Sequence, residues 1–144
     1  MTIEEKQDRI IRQFELLGDW PERYKYIIKL GQKLDPLDEK YKVEENLVRG
    51  CQSQVWLHTE LQDGKIIFKA DSDAAITKGL VALMVQFYSG EKPDNILNTN
   101  PDFIKKIGMQ DHLSPTRSNG LASMVKQMKI YAMAYKSKIE QAVQ

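Results

Sequence analysis

Apolar positions recur along this chain with two different periods. From about Thr2 to Leu17, residues Ile3, Ile10, Phe14 and Leu17 share one helical stripe, with Ile11 beside it, which predicts an amphipathic helix. Thr2 and Glu5 stand at the spacing of a capping box, and Gly18 stands where a left-handed C-terminal cap commonly ends a helix. Asp19-Trp20-Pro21 then restarts the pattern, with Asp19 as N-cap and Pro21 in the first turn. Tyr24, Ile27, Ile28 and Leu30 supply the apolar face of this second helix, which closes at Gly31 or Leu34. The two helices are expected to form a hairpin, with Trp20 anchored in the core.

After the polar connector from Asp35 to Lys40 the period changes to 2. Asn46-Leu47-Val48 predicts a first strand. Gln54 to Leu61 predicts a second, with Val55, Leu57, Thr59 and Leu61 on one face and Trp56, His58 and Glu60 on the other. Lys65 to Ala70 predicts a third, joined to the second by the tight-turn pair Asp63-Gly64. The helical period returns after Asp71-Ser72-Asp73, three small polar residues suited to capping a helix start. Ile76, Leu80, Leu83, Met84 and Phe87 form the stripe of that helix. Gly79 inside it costs roughly 1 kcal/mol relative to alanine, which points to a close crossing, expected over the sheet. Pro93 to Leu97 and Pro101 to Ile107 predict short helices. His112 to Gly120 reads as a loop with capping residues, and the last helix runs on to about Ala142. The expected fold is α+β: one domain over residues 1–144, a three-stranded antiparallel sheet with helices packed around it.

Composition narrows the function classes. Apolar residues make up 42% of the 144 positions and charged residues 28%, the mix of a globular domain able to bury a core. The net charge is +1 from 21 basic and 20 acidic residues, interspersed, with no basic block or stripe. Nucleic acid is therefore not an expected partner. The N-terminal stretch is polar and the longest apolar run, near Leu80 to Val85, is far short of a membrane span. A cytoplasmic protein without membrane partners is expected. One cysteine cannot make an internal disulfide.

That cysteine, Cys51, sits in the polar turn Gly50-Cys51-Gln52-Ser53-Gln54 between two predicted strands. Gly50 lets the backbone bend there, and Gln52 and Ser53 can hydrogen-bond without acting as bases. A nucleophilic thiol needs thiolate, which is only about 3% of the population at pH 7 for an ordinary pKa near 8.5. A cation or helix N-terminus can raise that fraction; Lys42, Arg49 and Arg117 are the candidates. A cysteine hydrolase would also need a histidine base, and His58 and His112 are the two available, neither at a diagnostic spacing. No metal-ligand or nucleotide motif accompanies the cysteine, so no bound cofactor or metal is expected.

Several spaced motifs together resemble the SufE family of sulfur acceptor proteins: Phe14, the Trp20 to Leu30 helix, Gly50-Cys51-Gln52-Ser53-Gln54-Val55-Trp56, Asp71-Ser72-Asp73-Ala74-Ala75-Ile76, Lys78-Gly79-Leu80, His112-Leu113-Ser114-Pro115 and Arg117-Ser118-Asn119-Gly120-Leu121. The resemblance implies a fold similar to IscU-type scaffolds. It implies a covalent sulfur carrier and activator, not an enzyme in its own right. The partner is a SufS-like cysteine desulfurase, to which the pyridoxal phosphate belongs. Cys51 takes sulfur from it as a transient persulfide and delivers it to a downstream scaffold for iron–sulfur cluster assembly. The cysteine loop is expected to tuck the thiol against apolar residues at rest and to turn out on docking. By position Gly50, Gln52, Ser53 and Arg117 support Cys51, and Asp71, Ser72 and Asp73 border the docking surface. Two alternatives stand beside this reading: a desulfurase-binding regulator that passes sulfur to a non-cluster acceptor, and a cysteine-dependent hydrolase.

Overall fold

The computed structural model describes residues 1–143. Helix α1 (Ile3–Glu15) opens with the expected capping box: Thr2 Oγ1 accepts from the Glu5 N–H at 3.1 Å, and Glu5 Oε1 accepts from the Thr2 N–H at 3.0 Å. Its C-cap is Leu16, in right-handed geometry, so Gly18 supplies no left-handed cap. The last turn closes instead through the Leu16 and Leu17 N–H groups, which donate to Arg12 and Phe14 carbonyls. Helix α2 (Trp20–Gln32) is capped by Asp19, whose Oδ1 accepts from the Glu22 N–H at 3.2 Å.

Strands β1 (Val55–Gln62) and β2 (Lys65–Ser72) pair antiparallel, from Val55 opposite Ser72 to Gln62 opposite Lys65. The turn between them is left-handed at both positions, Asp63 at φ 52° and Gly64 at φ 77°, which matches the twist of the flanking strands. Among the described residues the sheet has two strands, not the expected three. Asn46-Leu47-Val48 contributes one bridge, Leu47 to Trp56, and one hydrogen bond, Val48 N–H to Val55 O at 2.8 Å. The reason is local: Glu44–Asn46 winds into a 3₁₀ turn, and the Leu47 N–H closes that turn on the Glu44 carbonyl instead of extending the ladder.

Helix α3 (Ala75–Tyr88) packs along α2 as well as against the sheet. The close crossing that Gly79 implies is made with α2, not with the sheet. A Cβ at Gly79 would lie 2.1 Å from the Ile27 carbonyl oxygen, and one at Gly31 would lie 2.8 Å from Gly79 N. Short helices α4 (Pro93–Asn98) and α5 (Phe103–Lys106) lead to α6 (Pro115–Val143). One core joins these elements; Ile10, Phe14, Ile27, Ile66, Met84, Phe87, Phe103 and Met128 are fully buried in it.

Helix α6 begins earlier than the loop reading of residues 112–120 allows. Pro115 occupies the first turn, and Ser114 caps it by accepting the Arg117 N–H at 3.2 Å. Arg117, Ser118, Asn119 and Gly120 are therefore helical. The turn before α6 is anchored on α2: Trp20 stacks on His112 with centroids 4.0 Å apart, the Tyr24 hydroxyl donates to the His112 carbonyl, and Arg23 donates to the Ile107 carbonyl at 2.9 Å. Trp20 is thus only half-buried, a clamp at the edge of the core.

Candidate functional site around Cys51

The cysteine turn is a closed loop. The Val48–Val55 hydrogen bond shuts its base, and Asp73 ties its far end to the start of α3: Asp73 Oδ1 accepts from the Gln54 N–H at 3.0 Å, and the Asp73 N–H donates to the Gln54 carbonyl at 3.3 Å. Gly50, at φ 92°, takes a conformation that a side chain would strain. The loop so shaped leans on α6. The Cys51 thiol donates to the Gly120 carbonyl, with Sγ 3.5 Å from the oxygen.

Cys51 opens onto a cavity of about 340 Å³. Val55, Leu80, Val81, Leu121 and Met124 give it an apolar wall, and Gln52, Ser53, Thr77, Ser114, Thr116 and Arg117 a polar one. β1, α3 and α6 all contribute, so the cavity exists only when these elements are packed. Three of the four residues expected to support Cys51 are among its lining: Gln52, Ser53 and Arg117. Gly50 acts through the bend. Val55, Leu80, Ser114, Gly120 and Leu121 stand within the motifs quoted for the family, whereas Thr77, Val81, Thr116 and Met124, with Ser123 against Gly50, were not singled out as site residues.

The expected lowering of the thiol pKa is not what the resting site provides. Burial pushes the half-buried Cys51 thiol up, toward the protonated form. Lys42 is engaged elsewhere, 3.2 Å from Asp71 and 2.9 Å from Glu39. Arg49 is exposed. Arg117 lines the cavity from the first turn of α6 and, among the described residues, makes no ion pair. At rest, therefore, burial favours the protonated thiol, and Arg117 is the charged side chain that shares its cavity.

Asp71, Ser72 and Asp73 do not cap α3 in the expected way. Asp71 and Ser72 are the last residues of β2 and are buried, and the N-cap is Ala74, without a side-chain cap bond. Burial pushes the Asp71 carboxyl up, but the Ser72 N–H, Lys42 and Lys78 outweigh it and hold it below the usual carboxylate range. Both lysines lie 3.2 Å from it. Of the three, only Asp73 is exposed. The histidines are also occupied. His58 stacks on Tyr41 at 3.6 Å and pairs with Glu60 at 3.2 Å, while His112 stacks on Trp20. Neither lines the Cys51 cavity, so a Cys–His pair for hydrolysis is not assembled among the described residues.

Comparison with known proteins places the chain in a family. The SufE family, described as an Fe–S metabolism associated domain, matches residues 8–132. An uncharacterized SufE-like protein of Synechocystis sp. is 39% identical over 134 residues, covering 93% of this chain and 84% of that protein. The solution structure of a hypothetical protein from Thermus thermophilus superposes with a TM-score of 0.76 at 20% identity, over 92% of this chain and 96% of that one, which shows a shared α+β fold. With a family match that takes in the cysteine loop, the cavity and the start of α6, the chain belongs to the SufE family.

Proposed function

We propose that the protein, acting as one domain over residues 1–144, is a sulfur acceptor and carrier for iron–sulfur cluster assembly, with Cys51 as its working thiol. The observation that carries the reading is the placement of the single cysteine. It sits on a closed loop at the mouth of an apolar-backed cavity, in a chain of the SufE family. The donor is a cysteine desulfurase bearing a persulfide on its own cysteine. The Cys51 thiolate attacks the outer sulfur of that persulfide. A new sulfur–sulfur bond forms on Cys51, the donor's bond breaks, and the donor cysteine leaves as a thiolate. No electrons are gained or lost overall, as in thiol–disulfide exchange, so the step needs alignment and a thiolate but no bound redox group.

Arg117 supports this chemistry from the cavity wall by stabilising negative charge on sulfur once the loop presents it. Asp73, exposed beside the loop, is the member of the Asp71–Asp73 group placed to border a docked partner. By removing the persulfide the acceptor also stimulates the desulfurase, and it passes the sulfur to a downstream scaffold. No helix among the described residues is long and apolar enough to cross a membrane; the reading places the protein in the cytoplasm with its partners.

The test is intact mass after incubation with a cysteine desulfurase and L-cysteine without reductant. A gain of sulfur on Cys51, reversed by reductant and absent in Cys51→Ser, is expected. No gain in the presence of an active desulfurase shown to bind the protein would reject the carrier reading.

A further inference from the structure

The free edge of β2 is covered one position at a time, and one position is left over. In an antiparallel pair, alternate residues turn their backbone groups toward the partner strand and away from it. Ile66, Phe68 and Ala70 turn theirs away from β1. At Ile66 the N–H donates to the Glu91 carbonyl at 2.9 Å, and the carbonyl accepts from the Gly90 N–H at 2.7 Å. At Phe68 the Ser89 hydroxyl serves both groups, accepting from the N–H at 2.9 Å and donating to the carbonyl at 3.5 Å. At Ala70 nothing among the described residues pairs with the N–H or the carbonyl. Ala70 is only 2% exposed, and more than about nine in ten buried backbone polar groups are paired.

A cavity of about 470 Å³ runs along this edge. Four consecutive residues of β2, Ile67 to Ala70, line it. Consecutive side chains point to opposite faces, so only space beside the strand meets all four. The facing wall is the connector that ends at Tyr41. Leu34, Phe68 and Val85 make the cleft apolar inside, and its rim carries both signs of charge: Asp35, Asp38 and Lys40 on the connector, Lys69 on β2. Asp38 spends one carboxylate oxygen on the Lys40 N–H, 3.1 Å away, and Lys69 reaches Glu60 only at 3.5 Å. An apolar cleft of this size with a few fixed backbone groups has the form of a small-ligand site. The donor and acceptor of Ala70 match the donor and acceptor of one amino-acid unit, as in a hydrogen-bonded strand pair. The mixed rim suits a ligand with both charges, since a net anion would meet the aspartates and a net cation the lysines. We propose that this cleft binds a zwitterionic amino acid or short peptide, one residue of which pairs with Ala70. It shares no lining residue with the Cys51 cavity.

The test follows the backbone amides of the isotope-labelled full chain by NMR. The probes are L-alanine, L-alanyl-L-alanine and the blocked, uncharged N-acetyl-L-alanine N-methylamide. Without a probe, the Ala70 N–H should exchange with solvent faster than those of Lys69 and Asp71, which face β1 in the ladder. A zwitterionic probe should then shift the Ala70 amide saturably, with a Kd on the order of millimolar. At about ten times that Kd the Ala70 exchange should slow about tenfold. Saturation by the free amino acid or by the dipeptide upholds the site and tells which of the two it takes. Ala70→Pro should abolish binding: it removes the N–H but no ladder bond, and proline is tolerated on a strand edge that faces away from the sheet. Asp35→Asn and Lys69→Gln, both at exposed positions, should each weaken binding about threefold; they carry the test if Ala70→Pro does not fold. An Ala70 amide as protected as its neighbours, no saturable shift with either zwitterion, or equal binding of the blocked compound would overturn the proposal. Cys51→Ser should bind the probes unchanged, so failure here leaves the carrier reading standing, and failure of the carrier reading leaves this site.

Discussion

Replacing Gly79 by alanine sets two calculable effects against each other. In an exposed helix interior the change would stabilise by about 1 kcal/mol through helix propensity. Here the new Cβ would stand 2.1 Å from the Ile27 carbonyl oxygen, 2.5 Å from Ile27 Cγ2 and 2.6 Å from the Ile27 carbonyl carbon. Two of those atoms are backbone and cannot turn aside. An ordinary contact needs more than 3 Å, so α2 and α3 must separate by roughly 1 Å, and overpacking of this kind costs about 1–3 kcal/mol or more. The backbone partners place this site at the upper end, about 3 kcal/mol, leaving a net loss of about 2 kcal/mol after the propensity gain. For a chain of this size that is a fall in Tm of roughly 6–10 °C. Thermal unfolding followed by circular dichroism measures it. Gly18→Ala is the control: nothing lies within 4 Å of a Cβ there, and its φ is not in the left-handed region. Because α3 also supplies Thr77, Leu80 and Val81 to the cavity wall, the shift should reach Cys51 and alter its alkylation rate. A Gly79→Ala protein as stable as wild type, or more so, would refute the packing argument.

Two further outcomes are expected. Asp71→Asn should destabilise by about 2 kcal/mol, since Lys42 and Lys78 lose a charged acceptor. Because the folded pKa of Asp71 is held below its ordinary value of 3.8, its contribution is present above that value and lost as pH falls below it; urea unfolding at neutral pH and near pH 3 should show the wild-type advantage shrink. Equal advantages at both pH values would contradict the assignment. Arg117→Ala, at an exposed position, should change stability by no more than about 0.5 kcal/mol. It should slow persulfide uptake roughly tenfold, the worth of about 1.4 kcal/mol; unchanged uptake in single-turnover measurements would remove Arg117 from the chemistry.

Much of this protein is written in contacts between neighbours in sequence. The Thr2–Glu5 capping box, the Asp19 cap and the Asp63-Gly64 turn each close within three residues, so residue type and spacing suffice to predict them. The alternation along Val55–Leu61 and the helical stripes record which face is buried, and they specify an α+β chain with the cysteine in a bend. The motifs around Cys51 and Arg117 were enough to suggest the family. What they could not specify is what each residue touches across the fold. The third strand fails because a 3₁₀ turn at Glu44–Asn46 takes the Leu47 donor, a choice between two hydrogen bonds that the apolar pattern does not register. Asp71 reads as a cap but is taken by Lys42 and Lys78 from opposite sides in sequence. Gly79 announces a close crossing, yet only the packing of α2 on α3 says with what. Cys51 rests against Gly120, 69 positions away, with its thiol donating to that carbonyl and no side chain between them. Sequence alone determined the α+β class, most of the helix and strand segments and the placing of the single cysteine in a bend, because those follow from local hydrogen bonding and amphipathic period. Tertiary structure decided the burial of the thiol and with it the upward push on its pKa, because desolvation is a property of packed neighbours, not of the chain that brings them together.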